Sequence, residues 1–189
     1  VEFKGNKNIP SSKININKPY ILAVGRLSKE KGFERLIESF SKIDTDVDLV
    51  FIGEGPEKLN LIKLCALLNV EKRVKFLGFL KNFENFYKGA RFLVLTSYYE
   101  GWPNVILEAM SFKCPVISFD CDFGPREIIQ TNVNGILLEQ GNKDLLAMEM
   151  KRLLEDDNLH SRLSKNAFKR AKEFKLKIIS EKWTNLVKD

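Results

Sequence analysis

Several short segments of this 189-residue chain carry residue types able to do chemistry. The sharpest reads Ser97-Tyr98-Tyr99-Glu100-Gly101-Trp102-Pro103-Asn104-Val105-Ile106-Leu107-Glu108-Ala109. Pro103 presets a first helical turn, so the amides of Asn104, Val105 and Ile106 lack intrahelical acceptors and can face a ligand. With the helix dipole they form an anion site suited to a diphosphate. Glu100 precedes the helix, where a carboxylate can bond sugar hydroxyls. Glu108 lies about one and a half turns inside it, in an otherwise apolar stretch. A carboxylate buried there needs a partner, and a ribose diol would supply one. The plainer alternative makes Glu100 a helix cap and Glu108 a surface residue.

A second segment, Gly25-Arg26-Leu27-Ser28-Lys29-Glu30-Lys31-Gly32, sets three cations between two glycines. Glycine lets the backbone turn tightly and approach a ligand, and Arg26 and Lys31 can clamp phosphate oxygens. It lacks the Walker and G-x-G-x-x-G patterns, and an ordinary polar loop reads the same way. In Gly53-Glu54-Gly55-Pro56 two glycines flank an acid where a flat base or ribose could approach, although a simple helix-starting turn also explains it. The segment Asp120-Cys121-Asp122-Phe123-Gly124-Pro125-Arg126-Glu127 offers another close approach, with Glu127 within reach of a ligand.

Each of these segments follows a short apolar run. Tyr20–Val24, Leu49–Ile52, Val74–Leu77, Phe92–Leu95, Val116–Phe119 and Gly135–Leu138 read as buried strands. Helical patterns separate them: Phe33–Lys42, a helix opening at Pro56 with Leu59, Ile62, Leu64, Ala66 and Leu67 in its apolar stripe, Asn82–Tyr87, Pro103–Phe112, Pro125–Ile129, and a helical remainder. Strands buried on both faces and alternating with helices specify a doubly wound, Rossmann-like parallel sheet of about six strands in an α/β domain over 19–189. Ligands then belong at the carboxyl ends of the strands. Residues 1–18 read as a linker or lead-in.

Composition removes several classes. The single His160 excludes a histidine triad or zinc site and reads as a surface residue. Cys65, Cys114 and Cys121 have no metal-ligand spacing and read as reduced thiols of a cytoplasmic protein. No apolar run approaches the ~20 residues that span a bilayer, and the start lacks the apolar core of a secretory signal. The absent initiator Met suggests a fragment. A net charge of +6, with Arg162, Lys165, Lys169, Arg170, Lys172, Lys175 and Lys177 clustered late, calls for an anionic partner or a solvated helix face. Without a nucleic-acid motif, acidic phospholipid or a phosphorylated ligand remain the candidates.

Taken in order, Gly-Arg-x4-Lys-Gly, the two glutamates seven residues apart in E-G-W-P-N-V-I-L-E-A, and G-P-R-E-I-I resemble the retaining glycosyltransferases of family 4, of the two-domain GT-B class. The resemblance covers about residues 19–189. It implies a donor-binding half in which Arg26 and Lys31, after Gly25, hold a nucleotide-sugar diphosphate. Glu100 would contact the transferred sugar and Glu108 the ribose. Gly53 and Phe79, in the Gly78–Leu80 stretch, would border the base, and the amides of Asn104, Val105 and Ile106 would complete the diphosphate site. By the same likeness Glu100, Arg26 and Lys31 serve the reaction, and no metal or other cofactor is expected; Asp120-Cys121-Asp122 has metal-site spacing in the wrong setting. The donor would be a UDP-sugar and the acceptor a glycan or lipid-linked glycan. Transfer would occur in the cytoplasm, at or near the inner face of the membrane. An N-terminal acceptor domain has no counterpart here, and the last helix, about 175–189 with Trp183 and Leu186, would pack on it. Without it the chain should bind donor weakly and transfer essentially nothing. A non-catalytic nucleotide-binding partner subunit and a basic polyanion or membrane-surface adaptor are the alternatives.

Overall fold

The structure, a computed structural model, describes Ile16 and residues 18–174, so the expectations for the lead-in and for the last helix lie outside the described residues. Six parallel strands form one sheet: β1 Tyr20–Val24, β2 Asp48–Ile52, β3 Val74–Phe76, β4 Phe92–Leu95, β5 Val116–Phe119 and β6 Ile136–Leu138. Their order is β3-β2-β1-β4-β5-β6. This is the doubly wound arrangement expected. The order reverses direction between β1 and β4, and there the loops leaving the two strands diverge and open a crevice.

The strands form where apolar side chains run unbroken, because both faces of the sheet are covered. The helices are α1 Phe33–Ser41, α2 Lys58–Leu67, α3 Glu84–Gly89, α4 Asn104–Ser111, α5 Pro125–Ile128, α6 Lys143–Glu155 and α7 Asp157–Glu173. On one face Phe33, Leu36, Ile37 and Phe40 of α1 pack with Leu61 of α2 and Met150 of α6. On the other, Ile106, Ala109 and Met110 of α4 pack with Phe86 and Tyr87 of α3. Each leucine, isoleucine, phenylalanine or methionine so taken from water contributes roughly 1.5–3 kcal/mol. The two edge strands, β3 and β6, have three residues each, and β3 carries the exposed Lys75, which discourages pairing with another chain.

Several boundaries move by one or two residues, as helix and strand ends commonly do. Leu77 and Gly135 fall just outside β3 and β6, and α3 runs from Glu84 rather than Asn82. Pro56 lies in the turn before α2, and Pro103 is the residue before α4 rather than its first. The helical tail breaks at Asp156, whose Oδ1 accepts from the Leu159 amide at 2.8 Å and starts α7.

Of the expected stripe of α2, Leu64 packs against the core and the rest does not. Leu59, Ile62 and Leu67 are exposed, Ala66 with them, while Leu61 and Cys65 face the sheet. His160 is half-buried rather than on the surface: its Nε2 lies 2.7 Å from the Arg91 carbonyl oxygen.

The cysteines are free and buried. Burial pushes the Cys65 thiol up to about 11 and the Cys114 thiol up to about 12. Near pH ~8 the nucleophilic thiolate is therefore scarce and shielded. The folded protein is expected to leave an aromatic disulfide reagent unreacted, and all three thiols to titrate once denaturant is added. A thiol reacting at once in the native protein would contradict this burial.

Candidate active site

The loops leaving β1, β2 and β3 are stitched together by their own backbones. The Gly25 amide donates to Ile52 O at 3.0 Å, Leu27 to Glu54 O at 3.0 Å, and Gly53 to Gly78 O at 2.9 Å. This requires a glycine at 53: a Cβ there would stand 1.9 Å from the Gly25 carbonyl oxygen. The stitched loops border a cavity of about 330 Å³ lined by Gly25, Arg26, Gly53, Glu54, Phe79 and Phe83, among others. Of the residues expected to bind, Gly25, Arg26, Gly53 and Phe79 are thus brought to one place. Arg26 is exposed, and its guanidinium makes no ion pair or hydrogen bond among the described residues.

Lys31 and Glu100 meet across the strand-order reversal. Lys31 Nζ donates to Glu100 Oε1 at 2.7 Å, with the side chains 21% and 9% exposed. Ser97 Oγ donates to the same oxygen at 2.5 Å. Glu100 is therefore not a helix cap. It is a largely buried carboxylate held from two sides, at a position that belongs to the ligand crevice in this fold.

What holds the Glu100 loop is a set of residues that sequence reading did not single out. The buried Arg35 of α1 donates through Nη2 to the Thr96 carbonyl and approaches Gln140 Oε1 at 3.4 Å through Nη1. It also lies over the Tyr98 ring, 3.7 Å from its centroid. Gln140 Nε2 donates to the carbonyls of Ser97 at 3.1 Å and Tyr98 at 2.9 Å. The loop's backbone thus closes on a guanidinium and an amide from two other elements. Desolvation lowers the Arg35 pKa from its ordinary value, and its Nε has no hydrogen-bond partner among the described residues. Gly32 fits under this assembly because it has φ of 58° and a Cβ would stand 2.3 Å from the Thr96 carbonyl oxygen. Gln140 follows β6, so the rule that ligands and their supports sit after strands was the signal available for it.

The start of α4 is less open than expected. The Asn104 amide donates to Trp102 O at 2.9 Å and the Ile106 amide to Pro103 O at 3.0 Å, because the Trp102–Pro103 turn supplies tight carbonyl acceptors. Val105 keeps the amide of the three that has no acceptor among the described residues. Glu108 is exposed, and Tyr87 Oη donates to its Oε2 at 2.8 Å, so it is neither buried nor unpartnered. Its carboxylate and Tyr87's ring tie α3 to α4. Glu127 accepts from the Gly124 amide at 2.8 Å, closing the turn into α5, and Arg126 forms a two-pronged pair with Asp120, both contacts 2.9 Å. Among the described residues no three His, Cys, Asp or Glu side chains gather as a metal site.

Comparison with known proteins places this arrangement. The family described as Glycosyl transferases group 1 matches residues 5–170. An N-acetylgalactosamine-N,N'-diacetylbacillosaminyl-diphospho-undecaprenol 4-alpha-N-acetylgalactosaminyltransferase of Campylobacter jejuni is 36% identical over 87% of this chain and 46% of its own length. Among solved structures, Anabaena HepE in complex with UDP superposes with a TM-score of 0.84 at 26% identity, covering 91% of this chain and 49% of that one. TarM superposes with a TM-score of 0.83 at 29% identity, over 97% and 37% of the two chains. The chain spans about half the length of the curated relatives it matches. With the doubly wound sheet and the family match extending over nearly all of it, the chain belongs to the group 1 glycosyl transferases.

Proposed function

We propose that this chain is the donor-binding half of a retaining GT-B glycosyltransferase of family 4. The full-length protein moves a glycosyl group from a UDP-sugar to a glycan or lipid-linked glycan. The observation that carries this reading is the Lys31–Glu100 pair at the strand-order reversal, beside the exposed Arg26 and the 330 Å³ cavity. A retaining transfer passes through an oxocarbenium-like state while negative charge gathers on the departing diphosphate. Arg26, Lys31 and the Val105 amide stabilise that leaving group electrostatically. Glu100, fixed by Lys31 and Ser97, orients the sugar through its hydroxyls, and Glu108 reaches the ribose with its oxygen that Tyr87 does not hold. The base lies between Gly53 and Phe79. In this reading the cations and amides serve the diphosphate without a metal or further cofactor.

Uracil as the base is supported by HepE, solved with UDP. A lipid-linked acceptor is supported by the Campylobacter jejuni relative, whose name includes diphospho-undecaprenol. The remaining half of the enzyme would supply an N-terminal acceptor domain, and transfer would take place in the cytoplasm. The isolated chain would then bind donor and transfer essentially nothing.

Calorimetric titration of the chain and of the full-length protein with uridine, guanosine and adenosine diphosphates tests this. Uridine diphosphate is expected to bind best, and Arg26→Ala to weaken it about 10- to 100-fold through loss of a charge-assisted contact. The unfolding temperature should change little, since Arg26 is exposed and its guanidinium makes no hydrogen bond or ion pair among the described residues. Binding indifferent to Arg26→Ala, or no diphosphate bound even by the full-length protein, would overturn the reading.

A further inference from the structure

The outer face of α7 carries cations that the donor site does not use. Arg162, Lys165, Lys169 and Lys172 recur at steps of three, four and three, which places them along one helix face, and all are exposed. None of them forms an ion pair among the described residues. The two acids of α7 are already engaged elsewhere: Asp157 with Arg91 at 2.7 Å and Glu173 with Arg170 at 2.6 Å. Lys113, just past α4, extends the patch. Its Nζ and that of Lys172 lie 5.5 and 4.4 Å from the centroid of the Phe168 ring. The result is a positive strip along an exposed helix face, whose one acid, Glu173, four residues from Lys169, is already held by Arg170.

The strip has a direction. Ser164 Oγ donates to the Lys113 carbonyl at 2.6 Å, at the end of α4 remote from the crevice. Phe174, just past the C-terminal end of α7, meets Trp102 with ring centroids 5.9 Å apart, shortly before α4 begins at the crevice. The cations therefore climb the side of the domain over about 15 Å and finish beneath the crevice rim. Trp102 is 46% exposed there, and tryptophan is a residue that settles at headgroup depth.

We propose that this face rests on an anionic phospholipid surface. A polyanion held by base stacking fits less well: Phe168, the strip's aromatic neighbour, is half-buried beneath Lys113 and Lys172, so it offers no exposed ring for stacking bases. Docked this way, the domain holds its crevice rim next to the bilayer, where a lipid-linked acceptor would be presented. That last consequence rests on the glycosyltransferase reading, whereas the contact itself does not.

Co-sedimentation of the chain with vesicles tests the contact without any nucleotide. Binding is expected to vesicles that mix phosphatidylglycerol with phosphatidylcholine, to be absent with phosphatidylcholine alone, and to fade as salt is raised. Replacing Arg162, Lys165, Lys169 and Lys172 together by glutamine should weaken it about 100-fold or more. Replacing the equally exposed Lys63, Lys72, Lys75 and Lys81 removes the same charge elsewhere and should leave most of it. Equal losses in the two variants would reduce the effect to net charge and overturn the assignment to α7. So would tighter binding to duplex or single-stranded nucleic acid than to the anionic vesicles. Failure of vesicle binding with uridine diphosphate still bound would sink this proposal alone.

Discussion

Replacing Gly53 by alanine is expected to cost about 3 kcal/mol or more of folding stability and to abolish nucleotide binding with it. The reason is geometric. Gly53 has φ of 143°, a region that side chains rarely adopt, and its added Cβ would stand 1.9 Å from the Gly25 carbonyl oxygen and 2.8 Å from the Gly25 carbonyl carbon. Both are backbone atoms, so no rotamer change relieves the overlap. The loop after β1 has to lift away from the loop after β2, which breaks the Gly25–Ile52 and Leu27–Glu54 hydrogen bonds and moves Arg26 with them. Gly101 provides the control. A Cβ there meets nothing within 4 Å, so Gly101→Ala should stay within about 0.5 kcal/mol of the parent. Chemical denaturation of the two variants reads the difference directly. A Gly53→Ala protein as stable as the Gly101→Ala protein would mean that the three loops are not packed as described.

The second large effect concerns the pair at the strand-order reversal. Lys31→Ala leaves the Glu100 carboxylate largely buried with Ser97 as its remaining side-chain donor, and is expected to destabilise the fold by about 2–3 kcal/mol. Glu100→Gln removes the charge but keeps the shape. Because Lys31 is 21% exposed and can turn toward water, this variant should lose about 1 kcal/mol or less. The double variant is the informative one. It should be more stable than Lys31→Ala alone, since the buried charge that lost its partner is gone. Any transfer activity of the full-length protein should be lost in all three. Additive losses in the cycle would show that the two groups do not interact and that Glu100 is held by its loop alone.

Much of the frame was legible because its signals are local. A strand covered on both faces is an unbroken apolar run, and glycine or proline marks where it ends. Tyr20–Val24 with Gly25, and Leu49–Ile52 with Gly53, carry that message within a few residues. From six such runs alternating with helices, the parallel sheet follows, and with it the rule that the segments after the strands face a ligand. That rule points to Arg26, Lys31, Gly53 and Glu100.

α2 marks where local reading stops. Its leucines and isoleucine are distributed around the helix, so periodicity alone names no inner face; packing on β2 and β3 chose Leu61 and Cys65 and left Leu59 and Leu67 exposed. The freedom of the α4 amides failed similarly, because it depends on how the Trp102–Pro103 turn closes and not on the presence of proline.

The sequence by itself determined the elements, their alternation and the edge of the sheet where chemistry belongs. Which side chains meet there was decided by the tertiary structure. Lys31 reaches Glu100 across 69 positions, Arg35 reaches Gln140 across 105, and Tyr87 takes up Glu108 across 21. Secondary structure is set by the shape and polarity of neighbours along the chain. An ion pair or a braced carbonyl is set by which strands lie side by side, and the order β3-β2-β1-β4-β5-β6 puts the ends of β1 and β4 together.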